Sequence, residues 1–319
     1  MSGNIPVIAT AIQALRLSLV NVGTVFKIAW LPVTLSALMT IWPLTRFPNR
    51  DFSGLSAEEM YLSMATYNGL NSFASLVANL LIIMTFVGIF RFYLREETPR
   101  LPFYLHWGMD EWRVLAGALI SFFAVFLSAM GAFIVVGIAS MILFVVAAAL
   151  GMTPPMEELQ AIAEGGIDQI SDVPGIFLLW YGVIILAVLA VIMWMSARMI
   201  FFYPGPVAQE KLNARALFAA TEGQVLRILG VFLLVGIVIY PLLFLIGYVI
   251  DLTVTRGAMA QYFGLMFWTP GLAPLPFEPG SEITRVMVGG FVFNFLSRMG
   301  LLFIAAAYTL VYLYRSEEQ

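Results

Sequence analysis

Arg298 lies inside an apolar run, 286–314, with Asn294 about one helical turn earlier and Ser297 beside it. A charged side chain in hydrocarbon costs about 2.5–3.5 kcal/mol on insertion scales, so an intramembrane arginine is a functional candidate by default. Its chemistry would be anion recognition, because a guanidinium presents five donors in a fork that matches phosphate or carboxylate oxygens. Asn79 and Asp251 are the expected partners from other apolar runs. Two bland alternatives carry equal weight: a structural pair, or snorkelling to the outer headgroups.

A second set of cations recurs at one end of the apolar runs: Lys27, Arg91, Arg95, Arg113 and Arg227, joined by Arg198 and Arg215. Orientation in the membrane explains most of this signal. The added expectation is that Arg91, Arg95, Arg113, Arg227 and Lys27 bind anionic headgroups between helices. His106 is the only histidine and cysteine is absent, so a His/Cys metal set and a disulfide are both excluded. His106 and Asp110 are spaced to share a helix face, and an interfacial polar pair beside Trp107 and Trp112 accounts for them. The acidic pairs Glu96/Glu97, Asp110/Glu111 and Glu157/Glu158 are sequence neighbours near water, not a catalytic dyad. There is no phosphate loop, no nucleophile elbow and no metalloprotease helix. The expectation is a protein that is not an enzyme, with no cofactor and no metal. Its basic residues are too dispersed for nucleic acid.

The elements that must position these residues follow from composition. The 319 residues are 61% hydrophobic and 11% charged, against about 25% charged for soluble domains. Too little polar surface remains to coat a water-soluble particle. Apolar runs cover 22–44, 71–92, 114–150, 175–202, 228–252 and 286–314, and a crossing takes about 20 residues. The fold class is therefore all-α: a polytopic transmembrane bundle of six spans, paired as three hairpins over 1–98, 99–205 and 206–319 of a single membrane domain. The third run is long. No polar turn signal interrupts it near Gly131–Gly137, which favours one helix over a helix plus a re-entrant piece.

Eleven of the 16 Lys and Arg residues fall on the side that carries both termini and four on the other. That bias places both ends in the cytoplasm. Each outer loop is expected to hold a short interfacial helix. The first starts at Ser56 with the Ser-x-x-Glu spacing of a capping box, the second runs through 156–170, and the third is an aromatic, Pro-rich stretch from Tyr262. On the inner side, amphipathic segments 5–20, 104–113 and 207–227 precede three spans. Gly23-Thr-Val-Phe-Lys27-Ile28 aligns with Gly223-Gln-Val-Leu-Arg227-Ile228, which suggests a parallel repeat of hairpins.

The stretch Ala216-Leu-Phe-Ala-Ala-Thr221-Glu-Gly223-Gln-Val-Leu-Arg227-Ile-Leu-Gly230 resembles a pattern in one bacterial family, as does the closing span Ala307–Tyr314 with its Arg315-Ser-Glu-Glu tail. That family is the membrane domain fused to some glycerophosphodiester phosphodiesterases, with its stand-alone YciC-like relatives. The resemblance covers the C-terminal third and the rest in outline. It departs at Leu313 and Tyr314, where the family usually places an acidic residue beside the closing Arg. It implies a bacterial inner-membrane location and a lipid or envelope association, but no reaction.

The functional expectation is a non-enzymatic inner-membrane protein that binds or handles lipids or organises an envelope assembly. Membrane lipids are the expected partners, with a membrane protein or a second copy of the chain as a further possibility. One alternative is an accessory subunit of a larger membrane complex. Another is a small-solute transporter or channel. The few polar residues within the runs (Asn71, Asn79, Ser121, Ser128, Ser140, Asn294, Ser297) count against a conduction path.

Overall fold

A computed structural model of the chain describes residues 5–46, 56–98, 104–149, 175–255 and 279–316. Every regular element among them is helical: α1 (Val7–Val20), α2 (Val22–Arg46), α3 (Ala57–Arg95), α4 (Met109–Ala149), α5 (Gly175–Arg198), α6 (Pro204–Ala208), α7 (Ala214–Ala220), α8 (Val225–Ile250) and α9 (Pro279–Ser316). A 3-10 turn at Ile200–Phe202 links α5 to α6, and a π turn at Asp251–Thr255 ends α8.

Five of these helices, α2, α3, α4, α8 and α9, are long and apolar enough to cross a membrane. Helices are the natural answer to this composition, because hydrocarbon offers no partner to an unpaired backbone group. Pro32 and Pro43 in α2 and Pro241 in α8 are carried within the spans.

Three helices are longer than a membrane crossing requires. α3, α4 and α9 contain 39, 41 and 38 residues. At 1.5 Å per residue each is close to 60 Å long, about twice the hydrocarbon thickness. The long third apolar run is accordingly one continuous helix. The short outer helix expected at Ser56 is instead the start of α3. Its capping box forms as read: Ser56 Oγ accepts from Glu59 N at 3.4 Å, and Glu59 Oε2 accepts from Ser56 N at 3.0 Å. The other two expected outer helices fall outside the described residues.

The inner segments are also corrected in part. α1 forms as expected. Residues 104–108 are irregular and lead straight into α4 with no separate amphipathic helix, and 207–227 is split by turns into the end of α6, α7 and the start of α8. The repeat keeps a helix-turn-helix outline in both copies, but its glycines differ. Gly223 has φ +73° in a turn, whereas Gly23 lies in the first turn of α2.

The half of the bundle that holds the C-terminal part of α9 is its packed core. Ala305, Ala306, Ala307, Thr309, Leu310 and Val311 of α9 are buried on successive faces. They meet α1, α8 and the 3-10 turn, where Phe201 and Phe202 are each 1% exposed. Gly230 of the Arg-Ile-Leu-Gly motif has a packing reason. A Cβ there would stand 2.9 Å from Val7 Cγ1, so α1 rests directly on the α8 backbone.

Candidate functional site: an ion cluster and an apolar groove

Three of the expected headgroup-binding arginines converge on one carboxylate. Asp110, in the first turn of α4, has a side chain only 4% exposed. Its Oδ2 accepts from Arg91 Nε and Nη2 at 2.9 and 2.7 Å and from Arg95 Nη1 at 3.0 Å, and its Oδ1 accepts from Arg113 Nη1 at 2.8 Å. Arg95 also donates to the Val207 carbonyl of α6. One residue on, Glu111 is fully buried and accepts from Tyr104 OH and Gly108 N, both at 2.7 Å. Burial, and after it the bond to Glu111, raises the Tyr104 phenol above its ordinary pKa, so it stays a donor. The cluster ties α3, α4 and α6 together. Arg91, Arg95 and Arg113 therefore have their charge engaged within the protein, which leaves them weaker candidates for headgroups than their spacing implies.

His106 is not paired with Asp110 on a helix. It precedes α4, and its ring meets Tyr104 edge-on at 6.3 Å, while Trp107 and Trp112 make their own edge contact at 5.4 Å. Lys27 on α2 is exposed and Arg227 on α8 is half-exposed, and neither forms a salt bridge to a described residue. Arg198, at the end of α5, is buried with its guanidinium 3.9 Å from the Phe218 ring centroid. That is a cation–π contact in place of an ion pair.

Arg298 sits between α9 and α2. Its Nη1 donates to Ser36 Oγ at 2.5 Å and its Nη2 to Thr40 Oγ1 at 2.7 Å. The expected partners Asn79 and Asp251 are not the ones it finds. Asn294 donates back to Gly290 O of its own helix. Ser36 and Thr40 were legible only as small polar residues one turn apart, and nothing in one sequence pairs them with a residue some 260 positions away.

The irregular connection after α5 creates the other feature. α5 ends at Arg198, and the chain passes through the Ile200–Phe202 turn and Tyr203 before Pro204 opens the short helix α6. Pro204 to Val207 are buried, and α4 passes so close that a Cβ on Gly117 would lie 2.3 Å from the Phe202 carbonyl oxygen. Irregular backbone at this depth is tolerated because protein covers it. Beside this connection, residues of α4, α5 and α9 line a groove of about 520 Å³. Ala118, Ser121, Phe122, Val125, Phe126 and Ala129 of α4 form one wall, with Ser196 and Met199 opposite and Tyr203 and Tyr308 between them.

The groove is apolar with a few polar points. Phe122 and Phe126 stack at 6.0 Å along one side. Tyr308 packs edge-on against Tyr203 at 5.5 Å and Phe232 at 4.9 Å. Ser121 Oγ donates to Gly117 O at 2.8 Å and keeps its lone pairs. The Tyr203 and Tyr308 hydroxyls have no hydrogen-bond partner among the described residues. Tyr312 differs, since its hydroxyl accepts from Gln209 Nε2 at 3.1 Å. An apolar cleft with a few convergent polar groups and a volume between about 300 and 1,000 Å³ is the usual form of a small-ligand site. Sequence reasoning missed Tyr203, Tyr308 and Ser196. The Pro-Gly-Pro break beside Tyr203 was the available signal.

Among the described residues no group of His, Cys, Asp and Glu is arranged to hold a metal ion. Comparison of the chain with family models, curated proteins and solved structures finds no match.

Proposed function

We propose that this chain is a non-enzymatic, six-span bacterial inner-membrane protein with both ends in the cytoplasm, and that it binds one membrane lipid in the groove between α4, α5 and α9. The observation that carries this reading is the groove itself: a cleft of about 520 Å³ along apolar helices, with aromatic walls and two tyrosine hydroxyls left without a described partner. An acyl chain fits the Phe122–Ala129 wall. Ester carbonyls, which only accept, suit the tyrosine donors. Ser196 lies two residues from Arg198 and Tyr308 seven from Arg315, so the polar points sit near the inner basic level, where the glycerol region of an inner-leaflet lipid lies. The resemblance of the C-terminal third to a lipid-associated family points the same way, and α5 as the sixth crossing gives the even span number that this topology needs.

Filling the groove tests the reading. Ala129→Trp should lower the lipid retained by the purified protein, counted by native mass spectrometry, by roughly tenfold, equivalent to about 1.4 kcal/mol. Unchanged lipid retention in a folded variant would remove the groove from the account.

A second reading, an accessory subunit, is favoured by α4, whose most apolar window is only 6% buried within the chain. A stoichiometric protein partner that covers α4 and displaces the retained lipid would favour it.

A further inference from the structure

We propose that Arg298 is the cation of an anion-binding site within the outer half of the bundle, and that it takes a phosphate-type group. This site is separate from the groove and does not depend on it.

The first argument is charge. Arg298 is 17 residues along α9 from Arg315. At 1.5 Å per residue that is about 25 Å above the inner basic level, well past the middle of a hydrocarbon core about 30 Å thick. No carboxylate among the described residues forms a salt bridge with it. The two groups it does contact are neutral and already committed as donors. Ser36 Oγ donates to Ala78 O at 2.8 Å, and Thr40 Oγ1 donates to Ser36 O at 3.0 Å. Both hydroxyl oxygens then accept from Arg298. They orient the guanidinium but do not neutralise it. Nε–H is buried without a partner, and one N–H on each Nη remains to be used. The guanidinium thus keeps its charge and unused donors for an anionic acceptor.

The second argument is access. Each of the nine residues Phe291 to Met299 is partly exposed, whichever face of α9 it occupies. Where α9 is packed, from Ala305 to Val311, every residue but Tyr308 is buried. The outer half of α9 is thus loosely surrounded, and a ligand can approach Arg298. Two hydrogen bonds hold the side chain against α2, so it does not extend freely along α9.

The shared chemistry admits a lipid phosphodiester or free phosphate, and two arms separate them. The full-length protein, freed of endogenous lipid, is exposed to phosphatidylglycerol or phosphatidylcholine vesicles, or to inorganic phosphate alone. Adducts are then counted by native mass spectrometry. Wild-type protein should hold phosphatidylglycerol or phosphate, and Arg298→Gln should reduce that adduct roughly tenfold, about 1.4 kcal/mol. A phosphatidylglycerol adduct without phosphate binding assigns a headgroup, whereas phosphate binding alone assigns a free anion. Thr40→Val keeps the cation and removes one orienting contact, so it should retain most of the adduct. Arg298→Lys serves as the charge-retaining control should the glutamine variant fail to fold, and should keep part of it. Equal losses in Thr40→Val and Arg298→Gln would reduce Arg298 to a latch between α9 and α2 and overturn the site. So would an Arg298→Gln adduct equal to that of wild type, or an Arg298→Lys adduct as low as with no cation. Ala129→Trp should leave this adduct untouched, so the groove and the Arg298 site fail independently.

Discussion

Asp110→Ala should be the most destabilising single substitution on the inner face, lowering the melting temperature of the purified protein by on the order of 10 °C. Three guanidiniums reach its two oxygens within 3.0 Å, and its side chain is only 4% exposed. Removing one partner of a buried ion pair costs about 3–5 kcal/mol, mostly through the charge left behind. Here Arg91 and Arg113 would lose their carboxylate partner, Arg95 would keep only the exposed Glu97 and Glu210 at 3.7 and 3.6 Å, and the three cations would repel one another. They also join α3, α4 and α6, so the loss reaches the connection after α5. Arg113→Gln should cost less, because Asp110 keeps Arg91 and Arg95. Thermal unfolding followed by circular dichroism in detergent separates the two. A shift for Asp110→Ala within about 2 °C of wild type would mean that water already screens the cluster.

Gly117→Ala should also be severe, although it adds a single methyl group to a helix, where alanine is ordinarily favoured by about 1 kcal/mol. The new Cβ would stand 2.3 Å from the Phe202 carbonyl oxygen, and that atom belongs to backbone held within the packed core. Overpacking typically costs about 1–3 kcal/mol, and relief here requires α4 to move off the turn. Because α4 forms one wall of the groove, lipid retention should fall together with stability. Gly131→Ala, in the same helix, meets nothing within 4 Å and should be neutral or slightly stabilising. If both variants melt like wild type, α4 does not seat on the Ile200–Phe202 turn as described.

The helices themselves were readable because each announces its own period and length. α4 was legible as one helix from the absence of any polar break, and the α3 start was legible from Ser56 and Glu59, a local hydrogen-bond exchange. What could not be read were contacts fixed by how helices meet. Arg91, Arg95 and Arg113 look like a basic ring in sequence. Only packing brings all three to Asp110 and changes them from exposed cations into a structural cluster. Arg298 stood out because its cost in hydrocarbon is intrinsic, while its partners Ser36 and Thr40 carry no signal of their own. The groove was missed for a related reason. Its lining comes from α4, the end of α5, the connection after it and α9, and Tyr308 enters it from a helix a hundred residues downstream. The apparent repeat shows the opposite error: a shared Gly at positions 23 and 223 that serves two different backbone conformations.

The most direct test of the lipid reading is to ask where a lipid tail lies. The protein is equilibrated with a phospholipid carrying a photoreactive diazirine in its acyl chain, irradiated, and its labelled residues are mapped by peptide mass spectrometry. The account predicts labels concentrated on Ser121 to Ala129 of α4 and on Tyr203 and Tyr308, and lost in Ala129→Trp. Labels spread evenly over the outward residues of α4, such as Phe133 and Met141, and unchanged by Ala129→Trp, would show ordinary lipid contact and contradict it.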